Sequence, residues 1–430
     1  MGVQTFRRVR SRFSPGILVL AVIVASILCT AMGQESVDVW KFGSPQGERD
    51  YFSEVNEQFT EYPLDVQFFD WDSRFQRVAT ANSGNNLPDI LIIENSMLPN
   101  LAEEAVLLDL QEIAPDAAEQ WSRAYPEPLW ELGVFRDSLY GFSPYVDLSP
   151  VLLYNTRLLE EAGVSPPRSW SELVDTAEKL TTNSVYGIAF GASTASLDAD
   201  IIESIAAGNG VRWIDENTGE VVIGDQGLVD TFQLIQELLP YAPQGLTDLN
   251  FRGALQLFFQ ERAAMVITKS FAPIIQADYG VSSDFPSVMI PFPSPDEATG
   301  RYAPASFEAQ AAFLFAATRQ VDNQDGVIAY LDFWADPSQH QGWDGSVVQG
   351  RIPTAKALLE SDGFAQQYPG LAAAYREGEL FETVISIPAF PEYTELRSTL
   401  TEVIQRLVLG ATTPEQAAAT LESQANRAIE

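Results

Sequence analysis

Residues 141–181, GFSPYVDLSPVLLYNTRLLEEAGVSPPRSWSELVDTAEKLT, set the strongest limit on what this chain can fold into. Val151 to Tyr154 form a short apolar run suited to a buried strand. A Pro166-Pro167 turn follows, and Ser169 with Glu172 three residues later makes a capping box ahead of Leu173, Val174, Ala177 and Leu180 at helical spacing. The same alternation occurs earlier in the chain. Val37 to Phe42, Asp65 to Phe69 and Asp89 to Ile93 read as strands, with a helical run through Phe52, Val55 and Phe59 after the first. Strands alternating with helices favour an α/β class with mostly parallel sheets flanked by helices. Asp336-Pro337 with Gln339, and Thr413-Pro414 with Gln416, mark two further helix starts. Asn217, Thr218 and Gly219 sit between two short β-like runs and suggest a surface hairpin. No internal repeat, low-complexity tract or long linker interrupts the chain, so its units are expected to be joined by short crossings.

The first 33 residues read as a separate unit. Arg7, Arg8, Arg10 and Arg12 precede the apolar run Ile17 to Met32, and Ala31-Met32-Gly33 supplies small residues before Gln34, the pattern of a secretory signal. The apolar run is shorter than the ~20 residues a membrane-spanning helix needs. Export to the periplasm or cell surface is expected, with a mature chain starting near Gln34. Cys29 is the only cysteine, and Leu28 before it makes a poor lipid-attachment site; an anchor there is the disfavoured alternative.

Charge and inventory exclude several kinds of chemistry. A net charge of −34 and a pI near 4.2 argue against nucleic acid or an anionic membrane as partner, because both would repel such a chain. His340 is the single histidine and lies among Ser338, Gln339 and Gln341, a poor place for a catalytic base, and no GxSxG elbow occurs. Cleavage after Ala31 or Gly33 leaves no cysteine, hence no disulfide, thiolate nucleophile or Cys-ligated metal. Asp215, Asn217 and Gly219 mimic the opening of a calcium loop, but Gln226 stands where its closing glutamate belongs. The turn Gly43 to Gly47 lacks a phosphate-loop lysine. No cofactor or metal is expected.

Five blocks in the same order resemble the extracellular solute-binding proteins of the maltose/sugar type, family 1. They are LPDILIIENSMLPNLAEEAVLLDL from Leu87, the 141–181 segment, FQERAAM from Phe259, AYLDFWADPSQHQGWDGSVVQGRIP from Ala329, and the closing helix from Leu409 to Ile429. The resemblance implies a two-lobe periplasmic-binding-protein fold (type II). Lobe 1 would hold residues 34–147 plus 307–350, and lobe 2 residues 148–306 plus 351–430, with crossings near Val146 to Leu148, Ser306 to Gln310 and Gln349 to Ile352. It further implies an extracytoplasmic component of an ABC importer, a monomer that binds a small polar solute such as a mono- or oligosaccharide and delivers it to permease subunits. A secreted carbohydrate-active enzyme is the competing reading.

Sugar sites combine aromatic faces with planar polar groups. Carried over position by position, the resemblance points to Ser44 in the first turn, Glu94 and Asn95 after the third strand, and Tyr145 and Asp147 at the first crossing. Phe271 stands where the family has a stacking tryptophan, and Phe307 and Glu308 replace paired glycines. Tyr393 falls in the region of a late aromatic, with Phe390 beside it. Trp40 and Trp71 either line the cleft or belong to the core. Arg351 either forks onto the solute or forms an interlobe salt bridge. No aromatic follows Tyr186-Gly187, where maltodextrin binders place one, which weakens the case for a long glucan.

Overall fold

The computed structural model describes residues 35–43, 46–194, 196–214, 220–276, 279–282, 284–296, 307–339, 351–378, 380–381, 384–385 and 393–429. The expected signal, Ser44, His340, Phe390 and the tip of the 217–219 hairpin lie outside them. An antiparallel bridge between Ile214 and Val221 flanks that tip.

Ten strands define the architecture: β1 (Val37–Phe42), β2 (Leu64–Phe69), β3 (Ile90–Glu94), β4 (Tyr145–Ser149), β5 (Val151–Asn155), β6 (Tyr186–Ala189), β7 (Ala263–Thr268), β8 (Ser287–Pro291), β9 (Phe307–Ala317) and β10 (Ile352–Pro353). They form two sheets. The larger has the order β10-β4-β9-β3-β1-β2, with the short strands Gly141–Phe142 and Val384–Ile385 also pairing with β9. The smaller has the order β8-β5-β7-β6. Two separate sheets with helices packed on them make this a two-lobe α/β chain.

Strand direction is more mixed than the strand–helix alternation suggests. β1 runs parallel to β2 and β3, and β7 parallel to β6. β9 is antiparallel to both β3 and β4, and β5 is antiparallel to β7 and β8. The antiparallel pairs arise where the chain passes between sheets: β5 follows β4 after a single residue, and β9 enters the larger sheet from the smaller one.

In β3 Ile90 and Ile92 join one core and Leu91 and Ile93 another, so the strand is buried on both faces and reads as a continuous apolar run. Helices flank the two sheets: α1 (Gln46–Asn56), α2 (Arg74–Gly84), α3 (Trp170–Leu180), α4 (Ser196–Gly208), α5 (Phe251–Phe259), α6 (Gln324–Ala335), α7 (Tyr393–Val408) and α8 (Pro414–Ile429). Phe52 of α1 stacks on Trp334 of α6 at 4.8 Å, closing the core under β1. The Ser169 cap forms as expected, with its Oγ accepting from Glu172 N at 3.3 Å, but Glu172 turns its carboxylate to Arg168 N. Thr413 and Gln416 make the full reciprocal box, both bonds 3.3 Å. Directly after Asp336 the described chain forms a three-residue turn, Pro337–Gln339, capped by Asp336, and residues 340–350 lie outside the described residues.

The sheets are stitched together at the first passage. Ser270, just past β7, donates its N–H to Leu148 O and accepts from Leu148 N through its Oγ, both at 2.9 Å. That bond pair brings the loop after β7 against β4, and the polar side chains discussed next gather around it.

Candidate ligand-binding site between the two sheets

Lys41 on β1 points into an interior where an unpaired ammonium would be untenable. Glu48, in the first turn of α1, resolves this: the carboxylate sits 2.9 Å from Lys41 Nζ, near the positive end of the helix dipole. Lys41 also donates to the Tyr145 hydroxyl at 2.7 Å, and its ammonium lies 4.7 Å from the Phe313 ring. The other Glu48 oxygen takes Arg351 Nη2 at 2.9 Å, while Arg351 Nη1 pairs with Asp147 Oδ2. Two cations and two carboxylates are thus fully buried together. Burial alone would raise the Glu48 pKa, but Arg351 and Lys41 outweigh it and hold the group at about 2. Burial pushes Asp147 above its ordinary value despite Arg351, and lowers Lys41 despite Glu48.

Aromatic rings surround this cluster. The Arg351 guanidinium carbon lies 4.8 Å from Phe313, 5.8 Å from Phe271 and 5.9 Å from Tyr145. Trp71 meets the edge of Phe313 at 6.1 Å, and Arg74 of α2 covers Trp71 at 4.1 Å. Gly43 makes room for the indole: its φ is +62°, and a Cβ there would come within 2.5 Å of Trp71. Arg74 Nη2 also reaches Glu94 Oε2 at 3.3 Å, and Glu94 is raised by burial against the pull of Arg74. Phe313 pairs in register with Glu94, so the ring beneath Arg351 and at the edge of Trp71 stands next to that carboxylate across the strands.

The smaller sheet contributes the opposing wall. Lys269, one residue past β7, lies 3.3 Å from Asp200 of α4, and Arg397 of α7 pairs with the same carboxylate. Phe271 packs edge-on against Phe251 at 5.6 Å. Lys269 and Arg397 both act on Glu94 from this wall, which places charges of the two sheets within electrostatic reach of each other.

The structure therefore draws Trp71, Glu94, Tyr145, Asp147, Phe271 and Arg351 into one region. Arg351 pairs with Asp147 and Glu48, the salt-bridge alternative raised by the sequence. Tyr145 is fully buried, with its hydroxyl engaged by Lys41 and Glu48. Asn95 is buried and accepts from Ala312 N at 3.2 Å, fixing the start of its loop to β9. Trp40 packs edge-on against Phe69 at 5.0 Å, at the margin of the core. Phe307 and Glu308 begin β9, where Glu308 lies opposite Ser149, and Tyr393 begins α7; their side chains lie outside the description. Sequence reasoning missed Lys41, Glu48, Arg74, Phe313, Asp200, Lys269 and Arg397. One signal was available: lysine occurs only four times in the chain, and two of those, Lys41 and Lys269, fall at strand ends in apolar surroundings. Among the described residues no group of three or more His, Cys, Asp or Glu is placed to hold a metal ion. None of their helices is long and apolar enough to cross a membrane.

Two α/β sheets joined by closely spaced passages, with charged and aromatic side chains gathered between them, define a two-lobe binding protein. The chain belongs to the bacterial extracellular solute-binding protein family, whose profile matches residues 44–341. Among curated proteins it is similar to a probable sugar-binding periplasmic protein of Rhizobium meliloti, 21% identical over 74% of each chain. It is also similar to the diacetylchitobiose binding protein DasA of Streptomyces coelicolor, 25% identical over 35% of this chain; that match spans only 36% of DasA. Among solved structures, the sugar-binding protein MalE of Xanthomonas citri superposes with a TM-score of 0.76 at 18% identity, covering 92% of this chain and 97% of MalE.

Proposed function

We propose that this chain captures a sugar between its two lobes and delivers it to the permease subunits of an ABC importer. The observation that carries the reading is the convergence of Trp71, Phe271 and Phe313 with the buried carboxylates Glu94 and Asp147 where β3, β4 and the loop after β7 meet. Rings of this kind stack on the apolar face of a pyranose, and carboxylates accept from its hydroxyls. The lobes divide at the passages after Asp147, before Phe307 and before Arg351, and the protein works outside the cytoplasm as a monomer once residues 1–33 are removed. It acts by binding alone, with no chemical change to the sugar. The relatives' described roles support this reading.

A thermal-shift screen tests it, since any solute that binds only the folded form raises the melting temperature. Glucose, galactose, tagatose, maltose and diacetylchitobiose form the sugar set, with glycine and a tripeptide as the contrast. A rise with at least one sugar, recovered unaltered after long incubation, is expected. A rise with the amino acid or peptide alone would overturn the sugar reading, and turnover of the sugar would replace it with the enzyme.

A further inference from the structure

The residues just before Phe271 are tied down directly, Lys269 to Asp200 and Ser270 to Leu148. Its ring is held differently: half-buried, it leans edge-on against Phe251 at 5.6 Å. Whatever fixes Phe251 therefore helps to fix the Phe271 ring. Phe251 opens α5, where the first amide groups have no partner inside the helix. Asn250 caps one of them, its side chain accepting from Gly253 N at 2.9 Å. Phe251 N is met from another helix: Asp198 Oδ1, in the first turn of α4 and 53 positions earlier, accepts from it at 2.7 Å. Asp198 Oδ2 accepts from Ser193 N at 2.9 Å and from the Ser193 hydroxyl. The Asp198 residue is 1% exposed, so a buried carboxylate joins the loop after β6, the start of α4 and the start of α5.

Two features make this contact more than an ordinary cap. A Cβ on Gly191 would come within 2.5 Å of Asp198 Oδ1 and 2.7 Å of Phe251 N, so the bond depends on a backbone that approaches without a side chain. Asp198 and Asp200 are also two residues apart on α4 and so leave it in different directions. Asp200 goes to Lys269 at the end of β7, and Asp198 to Phe251. One helix turn thus fixes both the chain leading into Phe271 and the ring that Phe271 leans on. Hydrogen bonds to an ionised acceptor are stronger than neutral ones, which makes Asp198 a stiffer hold on Phe251 than a neutral side chain would be.

We infer that Asp198 is a positioning residue for Phe271: acting through Phe251 from behind the wall, it sets the place and tilt of the ring that the smaller sheet presents between the lobes. Its consequence for solute affinity rests on the sugar reading; its hold on the ring does not.

The experiment has two arms. In the first, 4-fluorophenylalanine replaces Phe271 and its fluorine resonance is recorded without ligand. Asp198→Ala is expected to shift or broaden the signal, and Asp198→Asn, which keeps one oxygen for Phe251 N, to move it less. Phe251→Leu should also move it, and adding Asp198→Ala to Phe251→Leu should change it little further, because the relay is already gone. Leu331→Ala, buried in the other core, should lower the melting temperature and leave the signal in place. An unmoved signal in folded Asp198→Ala overturns the positioning role. So does an unmoved signal in Phe251→Leu, the variant that decides the matter should Asp198→Ala not fold, and so do shifts that add in full in the double variant. In the second arm, the best sugar of the thermal screen is titrated by calorimetry. Asp198→Ala should bind it about three- to tenfold more weakly, the worth of a well-placed aromatic contact, and Leu331→Ala as the wild type does. Wild-type affinity in Asp198→Ala with a displaced signal overturns the consequence for affinity. Silence from every sugar overturns the sugar reading instead, and the fluorine arm still decides the positioning of Phe271.

Discussion

The two charge clusters that face each other between the sheets are constructed differently. On the β1–β4 side, Lys41, Glu48, Asp147 and Arg351 balance two cations against two carboxylates, and no member has more than 7% of its side chain exposed. On the β7 side, one carboxylate, Asp200, serves both Lys269 and Arg397, and the Arg397 side chain is 30% exposed. A closed, neutral cluster has few alternative arrangements, so it behaves as part of the frame. A cluster with one member partly open to solvent can rearrange when a solute or the facing Glu94 approaches. Frame on one wall and adaptable charge on the other is what a site needs if one lobe is to move against a fixed set of binding groups.

The largest expected effect comes from breaking the frame. Glu48→Gln leaves Arg351 and Lys41 short of a buried counter-charge and should lower stability by about 3–5 kcal/mol. Urea unfolding monitored by circular dichroism reads this. Asp200→Asn on the other wall should lose about 2 kcal/mol, because Arg397, unlike the buried Lys269, is 30% exposed and can relax toward solvent. Equal losses at the two positions would erase the distinction between them. At the bottom of the scale, Arg123→Ala removes the exposed pair with Glu119 and should leave the urea midpoint unchanged within error.

Acidification separates the carboxylates of the larger-sheet wall from one another. Glu48 is held at about 2, below the roughly 4.3 of an unfolded chain, so its contribution to stability is complete above the unfolded value and is lost only as the pH falls through about 2. Glu94 and Asp147 are raised by burial, so they protonate at a higher pH than exposed carboxylates and then lose their anionic acceptors. These two groups subtract from stability at neutral pH, and mild acid relieves that. Sugar affinity is therefore expected to decline on acidification while the melting temperature still holds. Calorimetry and melting curves over the same pH series check this, and a parallel decline of both would contradict it.

Much of the frame was legible in the sequence because it depends on local pattern. The runs VDVWKF, ILII and VLLY announce strands, and Ser169 and Thr413 announce helix starts through bonds made within three residues. The charge clusters were not legible. Arg351 meets Glu48 across 303 positions, and Lys41 meets Tyr145 across 104, distances over which no periodicity carries information. Phe313 sits in the apolar run AAFLFAA, indistinguishable by pattern from its core neighbours. Arg74 lies one residue after Ser73 in a polar helix start and reads as solvated until Trp71 and Glu94 are placed beside it. Strand direction was hidden for a related reason, since it depends on which sheet the chain enters after each passage.

The central claim is that a sugar binds between these two walls, and a titration that joins ligand to place tests it most directly. Calorimetry of the wild type with the best sugar of the thermal screen, set beside Trp71→Ala and Asp147→Asn, is the measurement. Both variants are expected to fold and to bind more weakly, Trp71→Ala by about 1–3 kcal/mol, the range for removing an aromatic anchor. Wild-type affinity in both folded variants would show that the sugar binds elsewhere and would contradict the account.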